Sequence, residues 1–523
     1  MYMNEREKKL AGMNRQEMGE AEYHRIRVLT GNIKRIADLM TCIPGAIEEF
    51  EADTPAFLKK YDLDLDPKEM RLIFLSEDQE KKKAMFASPD VLDLIPESMF
   101  RYAQFVQNKL AFRDYLRDVG CVPANAAAAA WRQRNNRRCD SALGGVNISF
   151  IHAILTIELA KGCSVGCEFC GLSAEKLSEL FRYTDENRKL FREVLTVLKE
   201  VLGPSAGFGM MYFASEPLDN PDYEKFEQDY YEIFGMIPQI TTAVFDRNIE
   251  RTRALVHELD EKPGFIHRFS LRTLEMAKTA LQEFTPEELV NVELITQYEE
   301  SPYFLPYTVV GSERQHAGER KSGKHTERIL DEALAESLDA PVLMNEIRRL
   351  KKVQFTDPGT ICCVDGFRIN LCTRTISILT PCRMNERFPN GISETESVVF
   401  ADGNDFREKL MYMIERYMVV NVPKNEVLRC YDYLKIEDTP KGKILVSEQS
   451  GYQLPLERAG RSPMEETLVN PAEEVLKLLM ENRYTKDEIV RILMETYGIA
   501  PANLYWLINQ FWKQGLIVDS RFF

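Results

Sequence analysis

Three cysteines stand close together in Cys163-Ser-Val-Gly-Cys167-Glu-Phe-Cys170, at C-x3-C-x2-C spacing. They follow the apolar run Ala153-Ile-Leu-Thr-Ile-Glu-Leu-Ala160 and precede a stretch with helical spacing. A strand that ends in a tight loop can fold three thiolates around one inorganic cluster. A [4Fe–4S] cluster is normally held by four protein thiolates, so three leave one iron open to a substrate or cofactor. A structural zinc site is the alternative. Zinc sites want four ligands in paired knuckles, and no C-x2-C partner or nearby His completes one here.

The elements that must position these thiols are legible in outline. Residues 150–345 alternate short apolar runs with amphipathic stretches, the pattern of βα units on a parallel sheet. Strands are expected near 153–159, 209–214, 239–245, 265–271 and 292–297. Helices are expected over Asn187–Leu202, Pro221–Phe234 and Asn248–Leu259. In α/β barrels the reactive residues sit at the carboxyl ends of the strands. There the sequence offers Ser215 and Glu216, then Thr241 and Thr242, then Ser270 and Arg272. Ser270 and Arg272 are two apart on a strand and face the same way.

Before this region the chain reads as mostly helical, with Arg25–Met40 and one helix from Ala126 into Trp131-Arg-Gln-Arg-Asn-Asn-Arg-Arg138. That basic run reads as a solvated helix end suited to the helix dipole, with contact to an acidic leader peptide as the alternative. A polar stretch, Gly311–His325, reads as a loop that includes His316 and His325. Helices over Glu327–Leu338 and Met344–Leu350 follow it. Beyond Asp357-Pro358-Gly359 come two β-like runs, with Asp365-Gly366 as the turn between them. Four cysteines gather there: Cys362, Cys363, Cys372 and Cys382. They can be buried small hydrophobes, ligands of an auxiliary cluster, or a thiol that returns a hydrogen atom to a substrate radical.

From Thr439 the character changes again. Ile444-Leu-Val-Ser and Tyr452-Gln-Leu pair as a hairpin around Gln449-Ser-Gly451. Three short helices follow, the first capped by Asn470-Pro471, the second by the capping box Thr485–Glu488, the third opened by Pro501. The boundaries read as 1–150, 151–350, 351–437 and 438–523. The 523 residues give room for about three domains and a large core. Hydrophobic content of 44% and charged content of 28% are those of a soluble globular chain. The apolar runs are too short to span a bilayer, and the charged start shows no signal peptide. A net charge of −15 argues against a nucleic-acid partner. Of the eleven cysteines, those outside the motif follow no disulfide-like framework, which suits a reducing cytoplasm.

The cysteine motif after an apolar strand resembles that of the radical S-adenosylmethionine (SAM) enzymes. The resemblance implies an α/β fold with a partial (β/α)6 barrel, to which the pattern adds the N-terminal helical region and, in the hairpin with three helices, a C-terminal domain that resembles a winged helix. It implies that Cys163, Cys167 and Cys170 bind the cluster and that SAM chelates the open iron and yields a 5′-deoxyadenosyl radical. Phe169 then lies near the adenine. Ser215 and Glu216 stand where the superfamily loop meets the SAM amino group, with Ala-Ser-Glu in place of two glycines and a glutamate. Ser270, Arg272 and Thr242 would hold the ribose and carboxylate.

Ser215-Glu-Pro-Leu-Asp-Asn-Pro-Asp-Tyr223, Cys363-Val-Asp-Gly-Phe367 and Thr380-Pro-Cys-Arg383 narrow the likeness. They resemble the radical SAM amino-acid epimerases of ribosomal peptide maturation, of the proteusin (polytheonamide) type, over residues 100–420. That family implies Cα hydrogen abstraction from an L-residue of a precursor peptide and hydrogen return from a cysteine, leaving a D-residue. Cys382 is the first candidate donor and Cys372 the second. The implied partners are the ribosomally made precursor, its leader bound by the C-terminal domain, and a reductant such as flavodoxin or ferredoxin. The alternatives are a thioether- or carbon–carbon-crosslinking maturase, and a non-catalytic, metal-containing binding protein.

Overall fold

The computed structural model describes residues 19–68, 70, 96–302, 310–312, 359–447, 450–456 and 469–522. The expected helices at 327–338 and 344–350, His316, His325 and the Asp357-Pro358 turn lie outside the described residues. So does Gln449 of the hairpin.

In the N-terminal part, α1 (Glu20–Cys42), α2 (Ala46–Ala52), α3 (Thr54–Lys60), α4 (Glu97–Tyr115) and α5 (Ala126–Leu143) precede the first strand. The middle of the chain runs β1 (Ala153–Glu158), β2 (Ala160–Lys161), β3 (Glu179–Leu180), α6 (Asp185–Leu202), α7 (Tyr223–Phe234), β4 (Thr241–Thr242), α8 (Ile249–Glu261), β5 (His267–Leu271), α9 (Leu274–Glu283) and β6 (Val292–Thr296). Then come β7 (Val364–Asn370), β8 (Thr375–Pro381), β9 (Ile392–Glu394), β10 (Val398–Val399) and α10 (Gly403–Tyr417). The last unit has β11 (Leu428–Cys430), β12 (Lys435–Thr439), β13 (Gly442–Ser447), β14 (Tyr452–Pro455), α11 (Pro471–Met480), α12 (Lys486–Tyr497), α13 (Pro501–Lys513) and β15 (Ile517–Asp519).

The chain is a mixed α/β protein with parallel strands. β4, β5 and β6 pair in parallel, and β1 pairs in parallel with β7. The expected strand at 209–214 is reduced to a bridge, Thr156 to Met210, that links β1 toward the β4 side. There Tyr212 Oη and Thr241 Oγ1 are 2.6 Å apart. Helices α6, α7 and α10 cover one face of the β1–β7–β8 sheet through Phe191, Phe226, Phe367 and Phe406. The N-terminal helices do not stand apart. Ile33, Ile36 and Leu39 of α1 share a core with Phe269, Leu281 and Val292, and Arg35 caps α9 by donating to Leu281 O (2.7 Å) and Phe284 O (2.5 Å).

Two expectations fail for physical reasons. Asp365-Gly366 is no turn. Both residues lie inside β7, and the reversal comes at residues 371–374. Gly366 is there because β1 passes so close: a Cβ would stand 2.0 Å from Ile154 O. Nor is the basic run of α5 a solvated end. The helix continues to Leu143, and Arg132, Arg134 and Arg138 are buried. Arg132 donates to His152 O, Ile151 O and Arg117 O at 2.9 Å each. Arg134 lies 3.9 Å over the Trp512 ring and donates to Val419 O. The run is an internal brace between α5, the sheet and the last unit.

The C-terminal unit has the expected helices and caps. Asn470 Oδ1 accepts from Ala472 N and Glu473 N, and Thr485 and Glu488 close their capping box. Its sheet is a three-stranded meander, β12–β13–β14, beside a β11–β15 pair. Its apolar cluster starts at Val422, earlier than the 438 boundary read from composition.

A carboxyl buried in α7 gives a test of the packing. Glu227 is 4% exposed and its Oε1 has no partner. Burial first, then Glu258 and Glu224, push its pKa up to about 8, against a small pull from Lys262. The native chain thus keeps a proton that the unfolded chain releases from 4.5 upward. This group's contribution to stability falls as pH rises through that window, by about 1.4 kcal/mol per unit. Urea unfolding of Glu227→Gln should therefore show a gain over the parent that grows from the acid to the alkaline end of the window. A gain independent of pH would refute the assignment.

Candidate functional site

The cysteine loop leaves the carboxyl end of β1. Its neck is a short hairpin, β2 against β3. Cys163 N donates to Glu175 O (2.8 Å) and Leu177 N to Cys163 O (3.0 Å). Gly162 holds φ +85°, and a Cβ there would meet Lys176 O at 2.5 Å, so the neck closes only over glycine. Farther out, Ser312 N donates to Cys170 O and Asn390 Nδ2 to Leu172 O.

Cys163, Cys167 and Cys170 are each half-buried. Val165 N donates to Cys163 Sγ at 3.4 Å and Ala174 N to Cys170 Sγ at 3.5 Å. Burial, then the neighbouring Cys170 and Cys163, push the Cys167 thiol up to about 12, with Arg272 pulling the other way. Among the described residues, no three His, Cys, Asp or Glu side chains converge on a single metal ion. The Cys167 thiol lies within electrostatic reach of both Cys163 and Cys170, and amides reach the sulfurs of Cys163 and Cys170. Three thiols on one short loop are the donor type that an iron–sulfur cluster takes. Phe169 sits half-buried between the second and third thiols.

Several residues singled out at the strand ends do meet. Glu216 is 4% exposed. Its Oε1 accepts from Leu218 N (3.1 Å) and its Oε2 from Ala243 N (2.9 Å). Burial raises its pKa to about 7, with those amides and Thr242 opposing. Glu216 therefore first ties its loop to the end of β4. An ammonium group on a ligand would share an oxygen with an amide. Arg272 Nε donates to Ala243 O at 3.1 Å, so Glu216, Thr242 and Arg272 form one polar crown facing Cys167. Ser270 is half-buried on β5, and Ser215 half-buried beside Glu216. Neither side chain makes a hydrogen bond among the described residues.

Sequence reasoning missed three residues of this crown. Asp219 accepts from Ser164 N (2.8 Å) and Ser164 Oγ (2.5 Å), and Arg247 joins both, clamping the loop to the strand ends. Glu158 is 1% exposed and accepts from Ala214 N, Arg368 Nε and Asn370 Nδ2. A lone carboxylate inside an apolar strand was the signal for it.

Comparisons with known proteins bear on the chain as follows. No protein-family model matches it. It is 32% identical over 371 residues to an uncharacterized protein, y4wI, of Sinorhizobium fredii (strain NBRC 101917 / NGR234). The two chains are relatives. The match takes in 70% of this chain and 66% of that protein, so the chain spans just under two thirds of the relative's length. Among solved structures, BtrN in complex with AdoMet and 2-DOIA is 17% identical with a TM-score of 0.23, over 28% of this chain and 56% of that one. A likeness of that extent carries no argument about the reaction.

The four later cysteines separate. Cys362 is buried and donates to Val364 O. Cys363 is half-buried, with its Sγ 3.8 Å from Met210 Sδ. Cys372 lies in the reversal after β7, its Sγ 3.8 Å from Glu179 O at the loop neck. Cys382 is elsewhere. Leu379 pairs with Gly366 and Val364 with Ala153, so the end of β8 lies level with the amino end of β1. By strand alternation, Thr380 and Cys382 share the face of Ile376 and Ile378, which pack under the helices. Thr375 and Ser377 point the other way, into a polar groove beside the loop neck. The first-ranked donor is thus on the face away from that groove. Gly162, Glu175, Ala214, Arg368 and Glu394 also line the groove, which holds about 610 Å³ of empty space, its open side included.

Proposed function

We propose that this protein is a radical SAM enzyme that inverts residues of a ribosomally made precursor peptide from L to D. The observation that carries the reading is the three-thiol loop at the carboxyl end of β1, facing the crown of Glu216, Thr242 and Arg272. Cys163, Cys167 and Cys170 would hold the cluster, with Phe169, Ser215, Glu216, Thr242, Ser270 and Arg272 around SAM. When bound, the two together supply a radical able to remove a Cα hydrogen. The chain's own residues do the rest. Arg368 and Glu394 offer a peptide backbone a donor and an acceptor in the groove. A thiol on the opposite side of the Cα gives back its hydrogen atom. Position at the loop neck favours Cys372 over Cys382 for that role. The sulfur radical left behind is restored to a thiol by one electron from an external reductant of the flavodoxin or ferredoxin class and one proton from solvent. The C-terminal unit would bind the leader, β14 being the last strand of its sheet among the described residues and so a place for strand addition. Its third helix ends in a single basic residue, Lys513, which does not suit DNA. Among the described residues no helix is long and apolar enough to cross a membrane.

Co-expression with a precursor in deuterated water tests this. The thiol hydrogen exchanges with solvent, so each inverted residue should gain about one mass unit. Cys372→Ala should lose the ladder and Cys382→Ala keep it. A loss of mass in place of a gain would replace inversion by crosslinking.

A further inference from the structure

The turn that follows Glu216 carries a second carboxylate, and this one serves the cysteine loop. Pro217–Asp219 is one tight turn, closed by Asp219 N donating to Glu216 O at 3.1 Å. Glu216 reaches back to Ala243 N beyond β4. Asp219 reaches out to Ser164, the residue after Cys163. Its side chain is 2% exposed, and its two oxygens take three donors: Ser164 N at 2.8 Å, Ser164 Oγ at 2.5 Å and Arg247 Nη1 at 3.1 Å. Arg247 comes from the short turn after β4, and it also donates to Ser164 Oγ at 2.9 Å.

The pair is lopsided. Asp219 is sealed from water and lies within electrostatic reach of the Cys163 sulfur, as does Glu216. The Arg247 side chain is 51% exposed. A buried charge is screened far less than an exposed one, so the carboxylate acts on the thiols more strongly than the guanidinium does. Backbone bonds at the neck already fix the shape of the loop. Holding it does not call for a buried carboxylate, which is costly to desolvate. The charge itself has a use beside an iron–sulfur centre, whose reduction potential depends on the net charge around it. An anion there disfavours the incoming electron.

We propose that Asp219 and Arg247 set the reduction potential of a cluster held by Cys163, Cys167 and Cys170, the carboxylate lowering it and the guanidinium partly offsetting that effect. Both act through the loop and its field, without touching substrate. The proposal rests on the cluster reading given above.

An anaerobic redox titration of the reconstituted full chain, followed by electron paramagnetic resonance without substrate, is the test. At the parent's midpoint, Asp219→Asn should raise the ratio of reduced to oxidised cluster about tenfold, a shift of about 59 mV for one electron. Arg247→Gln should lower the ratio by a smaller factor. The double variant should fall between Asp219→Asn and the parent. Ser164→Ala removes hydrogen bonds and no charge, so it should leave the midpoint in place. If Asp219→Asn fails to hold the loop, Arg247→Gln, at an exposed position, carries the test alone. Shifts of one sign in both single variants, no fall in Arg247→Gln, or a shift in Ser164→Ala as large as that in Asp219→Asn would overturn the proposal. A parent that takes up no iron sinks the cluster and this inference with it. A parent that loads iron while the potentials ignore the charges sinks this inference alone.

Discussion

Cys167→Ala should yield a folded chain that takes up no cluster. The expectation follows from where the thiol sits. Cys167 is half-buried in a loop whose shape is set by backbone bonds at the neck and by the Ser164–Asp219–Arg247 clamp. None of these uses the thiol. Thermal unfolding should therefore move little, while iron content and the visible absorbance after anaerobic reconstitution fall to background. SAM cleavage under reduction should fall with them. Cys42→Ala is the control. Cys42 is wholly buried in the core between α1 and β6, so its loss costs stability and leaves iron binding intact. Iron retained in Cys167→Ala, or lost equally in Cys42→Ala, would remove the cluster reading and the function built on it.

The contrast between these two cysteines shows what could be read from the sequence and what could not. The motif spacing marked Cys163, Cys167 and Cys170 because spacing is a local property. The apolar runs placed β1, β5 and β6 within a residue or two for the same reason. Glu216, Thr242 and Arg272 were reachable because the strand ends were. What failed depended on pairing. The Gly in Asp365-Gly366 resembles a turn residue, yet the approach of β1 demands it. The arginines of α5 look solvated in a helical pattern and are buried because the segment before β1, the end of β8 and the C-terminal unit close over them. Cys382 sits in Thr380-Pro-Cys-Arg383, one of the segments on which the sequence likeness rests. Its face and its level depend on the register of β8 against β7 and of β7 against β1, which no local pattern states. Asp219 and Arg247 carry no motif and become visible only when the loop is laid against the strand ends.

Gly366→Ala should be the most damaging small substitution in the β1–β7 pair. The added methyl would lie 2.0 Å from Ile154 O and 2.6 Å from Ile154 C, both main-chain atoms. A side chain could rotate away, but a backbone in a ladder cannot. Here the register already shifts between Ala153 and Leu155 to let the strands pass. Relief requires β1 and β7 to part, and β1 is the strand that delivers the cysteine loop. We expect a loss of about 4 kcal/mol or more, the range of main-chain clashes and severe core defects, or no soluble protein. Any folded remainder should load iron poorly, because the loop neck hangs from the end of β1. Gly451→Ala provides the scale. Gly451 holds φ +71° with nothing within 4 Å of a Cβ, so only the left-handed backbone is penalised there, at about 1–2 kcal/mol. Melting of the two variants side by side decides the matter. A Gly366→Ala loss no larger than that of Gly451→Ala would mean that the sheet yields at this point, and β1 would no longer be the rigid support of the site.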